Sequence, residues 1–329
     1  MEKIPLCLDD ICEAAERIKP YVVRTPLLRS KPMDKFLGCK VYLKPEMLQI
    51  TGAFKMRGAM NKILSLSQEE RDRGIVCSSS GNHGQACALA GKMTGTHVVV
   101  VLPEDAPHVK IDKAKALGAD VILGPRLYKD RWKMVREIQE KNGYTMAHGY
   151  EDYTVMAGQG TIGLEILEDL PYIDTIFVPV GGGGLIAGVA TAVKEINPKI
   201  RIIGVQAKAS DGYVQSRKAG HRVEVECFPS LADGLGCRTP GENPYPICEK
   251  YVDDFVSVEE DDIKEAVKLV AGEAKLVAEP SSCVGIAAIL GKEIEVKPDE
   301  NVAFILTSGN WDIDMIGKIL NNEHVDGML

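Results

Sequence analysis

Short runs of apolar, β-branched residues recur along this chain without polar alternation, and amphipathic stretches separate them. Residues 74–77, 97–102, 120–123, 175–180, 200–205 and 302–306 are such runs, each bounded by Gly, Pro or charge. A strand buried on both faces reads this way, whereas a half-exposed strand alternates. Between them, residues 110–117, 131–142, 160–170, 261–274 and 284–290 carry apolar residues at helical spacing. This alternation predicts an α/β fold of mostly parallel sheets flanked by helices. With 329 residues, the chain is expected to divide into two domains.

Composition removes several classes of function. With 39 basic against 47 acidic residues the net charge is -8, and no basic cluster with interleaved aromatics appears, so nucleic acid is not an expected partner. The apolar run 98–102 is only strand-sized, so no membrane span is expected. The N-terminus lacks the apolar stretch of a signal peptide, which predicts a cytoplasmic location. The nine cysteines form no Cys-x-x-Cys pair and read as reduced thiols. The six histidines are dispersed, and no metal site is expected from spacing.

Two segments share one design, an apolar strand running into small residues and then a helix. Loops at the carboxyl ends of parallel strands are where α/β proteins bind ligands. In the second segment the loop is Gly181, Gly182, Gly183 and Gly184. Successive glycines cost backbone entropy unless the chain takes unusual dihedrals or closely approaches another group. At a helix start they present amide N–H groups to an anion, and phosphate is the expected guest; the plainer reading is a tight turn. The first segment runs through Ser78, Ser79, Ser80, Gly81, Asn82 and His83, whose polar groups suit a carboxylate or a ring oxygen; helix capping is its plainer role.

Lys55 lies between Phe54 and Met56 in a small and apolar stretch that begins at Thr51. Partial burial would lower its pKa and free the amine as nucleophile or base. Local sequence alone favours a lysine on an exposed helical face beside Arg57. Thr307, Ser308, Gly309 and Asn310 end the last apolar run, where a cofactor could lie.

Together these motifs resemble the fold-type II pyridoxal phosphate enzymes, and within them the threonine dehydratase and serine racemase family, over about residues 18–317. Stretches at 24–27, 42–46, 157–161, 232–234 and 278–281 match in the same order. The resemblance implies a tryptophan synthase β-like fold, with a large cofactor-binding domain from residues 1–48 and 147–329 and a small inserted domain from 49–146. It implies pyridoxal 5′-phosphate held by Lys55 as a Schiff base, with Phe54 beside the ring and Asn82 on its 3′ oxygen. Gly181, Gly182, Gly183 and Gly184 would cradle the phosphate, and Thr307 would face the ring nitrogen. Thr51, Ser79, Asn82 and His83 would surround the substrate carboxylate. Lys55 would also remove the Cα proton. The expected reaction is elimination of water from a small β-hydroxy amino acid, followed by release of a 2-oxo acid and ammonia. The family also implies a homodimer or higher homo-oligomer.

Some residues depart from the pattern. Ser80 stands where threonine dehydratases usually carry Ala and serine racemases Ser, so racemisation by Lys55 and Ser80 on opposite faces of Cα is a second expected activity. Gln206, Ser210 and Gly212 replace the acidic pattern of the racemases' divalent-cation site, which argues against that site here. Tyr150 replaces a smaller or polar residue of many relatives. Arg131 is a candidate contact for a distal acidic group on the substrate, its alternative being a solvated helix position near Asp130 and Glu137. A nicotinamide oxidoreductase remains a distant alternative. It would need an acidic residue at the end of the strand after the glycine loop, where Val205 and Gln206 stand.

Overall fold

The computed structural model describes residues 5–79, 81–106, 108–323 and 325. Ten strands are formed among them: β1 (Leu28–Arg29), β2 (Lys40–Pro45), β3 (Ile75–Ser78), β4 (Val98–Pro103), β5 (Asp120–Gly124), β6 (Thr145–Met146), β7 (Thr175–Pro179), β8 (Arg201–Ala207), β9 (Asp254–Val258) and β10 (Asn301–Leu306). They make a six-stranded sheet ordered β1-β2-β10-β7-β8-β9 and a four-stranded sheet ordered β5-β4-β3-β6. Every pairing is parallel except β1 with β2.

All six runs anticipated from the sequence are strands. The central ones, β3, β4, β7, β8 and β10, are buried along almost their whole length, as their unbroken apolar character requires. The sequence did not reveal β2 or β9. In β2 the polar residue Lys44 is fully buried, in an ion pair with Glu165, so its charge disguised a core strand. β9 is an edge strand of mixed burial and lacks the apolar run that marked the others.

The helix Tyr153–Asp169 begins seven residues before the anticipated start at 160. Asp152 caps it, its carboxylate accepting from the amides of Thr154 and Val155. Its glycines weaken the helical signal, but they are there for packing. A Cβ at Gly158 would meet the Arg57 carbonyl oxygen at 2.7 Å, so this helix and the helix Lys55–Leu64 touch backbone to backbone. On its other side it packs against the helix Gly184–Ile196. The helices that begin at the lysine and at the glycine loop are thus both clamped to one central helix. Among the described residues, no helix is long and apolar enough to cross a membrane.

Candidate active site

Lys55 is the first residue of its helix, and the loop before it is fastened to the end of β10. Ala53 bridges Ser308, the Phe54 amide donates to the Thr307 carbonyl at 3.0 Å, and the Gly309 amide donates to the Gly52 carbonyl at 3.0 Å. The Asn310 side chain closes the arrangement by donating to the Thr51 carbonyl at 2.6 Å. Thr51, Phe54, Lys55 and Thr307, distant in sequence, therefore form one unit.

The face of the helix that carries Arg57 is buried, which removes the exposed-face alternative for this segment. The Arg57 guanidinium is bidentate to Glu46, at 2.8 and 2.9 Å, and to Glu165, at 2.7 and 2.8 Å. Lys44 donates to Glu165 at 2.5 Å and to the Thr25 carbonyl at 2.6 Å. Two cations and two carboxylates balance, with the remaining polar atoms hydrogen-bonded, as a buried ionic group requires. The cluster fixes the turn from which the lysine projects.

Lys55 is half-buried as a residue, and its amine donates to the Gly149 carbonyl at 2.8 Å. No carboxylate pairs with it among the described residues. Loss of hydration pushes its pKa down to about 8. Its place at the positive end of a helix acts in the same direction. The amine is consequently available in its neutral form near physiological pH.

Gly149 links the lysine to the glycine loop. The next residue, Tyr150, lays its ring against the loop: a Cβ at Gly182 would lie 2.5 Å from the ring, and one at Gly184 would lie 2.7 Å from the Tyr150 Cα. Gly183 has φ +99°, and a Cβ there would lie 1.9 Å from the Tyr213 hydroxyl. Among the described residues, the amides of Gly181, Gly182, Gly183 and Gly184 have no protein acceptor. Four donors at a helix start, without side chains to screen them, suit an anion. The turn 149–150 is held by His148, whose Nδ1 accepts from the amides of Tyr150 and Glu151 at 3.3 and 3.1 Å. Its ring stacks on Trp132 at 4.4 Å, and burial pushes its pKa down to about 3, so it stays neutral. Sequence reading gave His148 no role, because its task depends on a stack formed only in the fold.

The two sheets meet at Asn82, which begins a helix after β3. Its amide nitrogen donates to Ser308 Oγ at 3.1 Å, and its Oδ1 accepts from Asn310 at 2.9 Å. Glu279 lies beside this pair, 3.5 Å from the Asn82 amide nitrogen, and burial pushes its carboxyl up to about 7. The sequence offered Glu279 only as part of a matching stretch. Thr307 is buried, with its hydroxyl 2.9 Å from that of Ser282. His83 is buried with Nε2 2.9 Å from the Ala147 carbonyl, and Gly149 packs on its ring. Ser79 accepts from the Gly81 amide at 3.3 Å. Ser80 lies outside the described residues. Arg131 leaves the solvated position beside Asp130 and Glu137: its Nε donates to Ser78 Oγ at 3.1 Å, at the carboxyl end of β3.

Comparison with known proteins agrees with this geometry. Residues 18–308 match the family described as pyridoxal-phosphate dependent enzyme. The chain belongs to that family. Relatives include an L-threonine ammonia-lyase of Thermotoga maritima, 45% identical over 96% of this chain and 78% of the relative. A catabolic L-threonine dehydratase of Staphylococcus aureus is 41% identical over 96% of this chain and 92% of its own length. Among solved structures, a serine racemase from Dictyostelium discoideum superposes with a TM-score of 0.89 at 39% identity, covering 93% of this chain and 99% of that one. The residues present fit the family's cofactor: the free glycine amides suit its phosphate, and an unpaired, partly dehydrated amine suits its aldehyde. In this pyridoxal-phosphate dependent enzyme β8 ends in Val205, Gln206 and Ala207, all buried, so no carboxylate stands there to hold the ribose of a dinucleotide.

Proposed function

We propose that this enzyme is a dehydratase that removes water and then ammonia from a small β-hydroxy amino acid such as L-threonine or L-serine, leaving a 2-oxo acid. The observation that carries the reading is the Lys55 amine, which has a carbonyl for its hydrogen-bond partner, lies over the Phe54 ring, and connects through Gly149 and Tyr150 to the free amides of the glycine loop. Relatives named for threonine ammonia-lyase and dehydratase activity at 45% and 41% identity support the substrate class.

When bound, pyridoxal phosphate supplies an aldehyde for the substrate amine and a ring that weakens the bond from Cα to hydrogen. The remaining work falls to this chain. Gly181, Gly182, Gly183 and Gly184 would hold the anionic tail, and Phe54 and Asn82 would hold the ring. Thr51, Ser79, Asn82 and His83 receive the substrate carboxylate, and Arg131 reaches toward a distal acidic group where a substrate has one. Lys55 takes the Cα proton, and an amine pushed to about 8 is suited to that task at neutral pH. Thr307 offers the ring nitrogen a neutral hydroxyl. Unlike a carboxylate, it does not hold a proton on the ring, which favours early departure of the β-hydroxyl group.

A second reading, racemisation with Lys55 and Ser80 on opposite faces of Cα, is favoured by the serine at position 80 and by the likeness to a serine racemase. In both readings residues 49–146 form the small domain, and 1–48 with 147–329 the large one. The four-stranded sheet, confined to residues 75–146, supports that division. The reading includes a cytoplasmic homodimer or higher homo-oligomer, and the nine free cysteines suit a reducing compartment.

The test is release of 2-oxo acid and ammonia across L- and D-threonine, serine and 3-hydroxyaspartate. Turnover of an L-β-hydroxy acid is expected; turnover of none would reject the dehydratase. Ser80→Ala is expected to remove any racemisation and leave elimination of the L-substrate. Equal loss of both activities would give Ser80 another task.

A further inference from the structure

We propose that Cys77, His83 and Cys87 form a binding site for a soft divalent cation of the zinc class directly behind the active site, and that its occupation inhibits the enzyme. The three side chains are buried, and their ligand atoms all lie within 4.8 Å of one another. Among the described residues no other group of three His, Cys, Asp or Glu is gathered in this way. The fold makes the cluster. Cys77 faces inward from the middle of β3, and the chain then turns into the helix Asn82–Thr94. On that helix His83 and Cys87 are four residues apart and share one face. The spacing Cys-x5-His-x3-Cys resembles no common zinc motif, so the cluster is legible only in the fold.

The hydrogen bonding of the imidazole leaves one of its nitrogens free to bind. A carbonyl only accepts, so the contact of 2.9 Å between His83 Nε2 and the Ala147 oxygen puts the ring proton on Nε2. The lone pair is then on Nδ1; Cys87 Sγ lies 3.5 Å from Nε2 and 4.0 Å from Nδ1, so the ring has to turn for Nδ1 to meet an ion held by the sulfurs. A ring nitrogen donating to a backbone carbonyl while its partner binds the ion is the usual outer support of metal-bound histidine. Zinc–sulfur bonds of ~2.3 Å in a tetrahedron set the sulfurs about 3.8 Å apart, so the ligands need to close by only about 1 Å. Binding releases two thiol protons to solvent, and one divalent ion with two thiolates and a neutral imidazole carries no net charge. Such a group is tolerated in a buried site.

Inhibition rests on the functional reading above, because it acts through the placement of His83 and Lys55. Gly149, whose carbonyl accepts from Lys55, packs on the His83 ring so closely that a Cβ added there would lie 3.2 Å from the ring's Cγ. Drawing the ring toward the sulfurs therefore disturbs the lysine's own support. Of the residues next to the cluster, Lys55 and Asn82 are partly exposed.

The test uses the holoenzyme with Co²⁺ as the spectroscopic probe and Zn²⁺ as the inhibitor. Turnover without added metal is measured first and tests the functional reading separately. One Co²⁺ per chain is expected, with thiolate charge-transfer bands, tetrahedral ligand-field bands and displacement by Zn²⁺. The double variant Cys77→Ala/Cys87→Ala is expected to keep its metal-free turnover, lose the bands and resist Zn²⁺ at least tenfold better. Cys77→Ser and Cys87→Ser, each alone, keep the test open should the double variant not fold, and each is expected to halve the charge-transfer intensity. Bands absent from the wild type, or unchanged in the variants, would overturn the site. Bands that appear without loss of turnover would overturn its inhibitory role.

Discussion

Burial acts on Lys55 and Glu279 in the same sense, favouring the uncharged form of each: the ammonium is pushed down to about 8 and the carboxyl up to about 7. For Glu279 this has a consequence for stability. A carboxyl bound more tightly to its proton in the folded chain than its ordinary 4.5 stabilises the fold at low pH. That contribution is complete below pH 4.5 and is lost as pH rises to about 7. Glu279→Gln keeps a neutral hydrogen-bonding group there. Urea unfolding is expected to show it more stable than wild type by up to about 3 kcal/mol above pH 7, with the difference vanishing toward pH 4.5. A difference independent of pH would show that Glu279 is not carrying a buried charge. This pH response could not be read from the sequence, because Glu279 owes it to burial in the fold, which outweighs the opposing hydrogen bonds from Ser308 and Asn82.

At the scale of elements, the active site depends on how two helices start. The helix Lys55–Leu64 is anchored through Arg57, whose two carboxylate partners come from β2's end and from the central helix. Arg57→Leu would leave Glu46 and Glu165 with only Lys44 between them. Loss of about 3–5 kcal/mol in chemical denaturation is expected, as for removal of one partner from a buried ionic cluster. A loss under 1 kcal/mol would show the cluster is not load-sharing in this way. At the glycine loop, Gly183→Ala meets both a left-handed backbone and the Tyr213 hydroxyl. It is expected to cost about 1–3 kcal/mol from the backbone alone and to weaken cofactor binding at least tenfold. Unchanged affinity by absorbance titration would remove the loop from the phosphate site. The glycine loop was legible as a turn with free amides because four adjacent glycines at a helix start have few other uses. The central helix was legible only in its second half, since Gly158 and its neighbours weaken the helical pattern while permitting the close crossing.

For the whole molecule, the parallel strands and the family likeness were legible because both are written in local patterns: unbroken apolar runs and motifs in order. What could not be read is how the pieces converge. Asn82 follows a strand of one sheet and bonds Ser308 after a strand of the other, a contact between residues 226 apart. Arg131 looked like a solvated helix residue and instead reaches Ser78 at the same sheet edge. For Lys55 the local sequence pointed to an exposed helical face and the combined motifs to a nucleophile; in the fold Arg57 beside it is fully buried.

The central claim is that the Lys55 amine carries the cofactor, and borohydride reduction of the purified holoenzyme followed by peptide mapping tests it most directly. The account predicts the reduced pyridoxyl group on the peptide containing Lys55, with no such adduct and no turnover in Lys55→Ala. An adduct on a different lysine of the wild type, or turnover retained by Lys55→Ala, would contradict it.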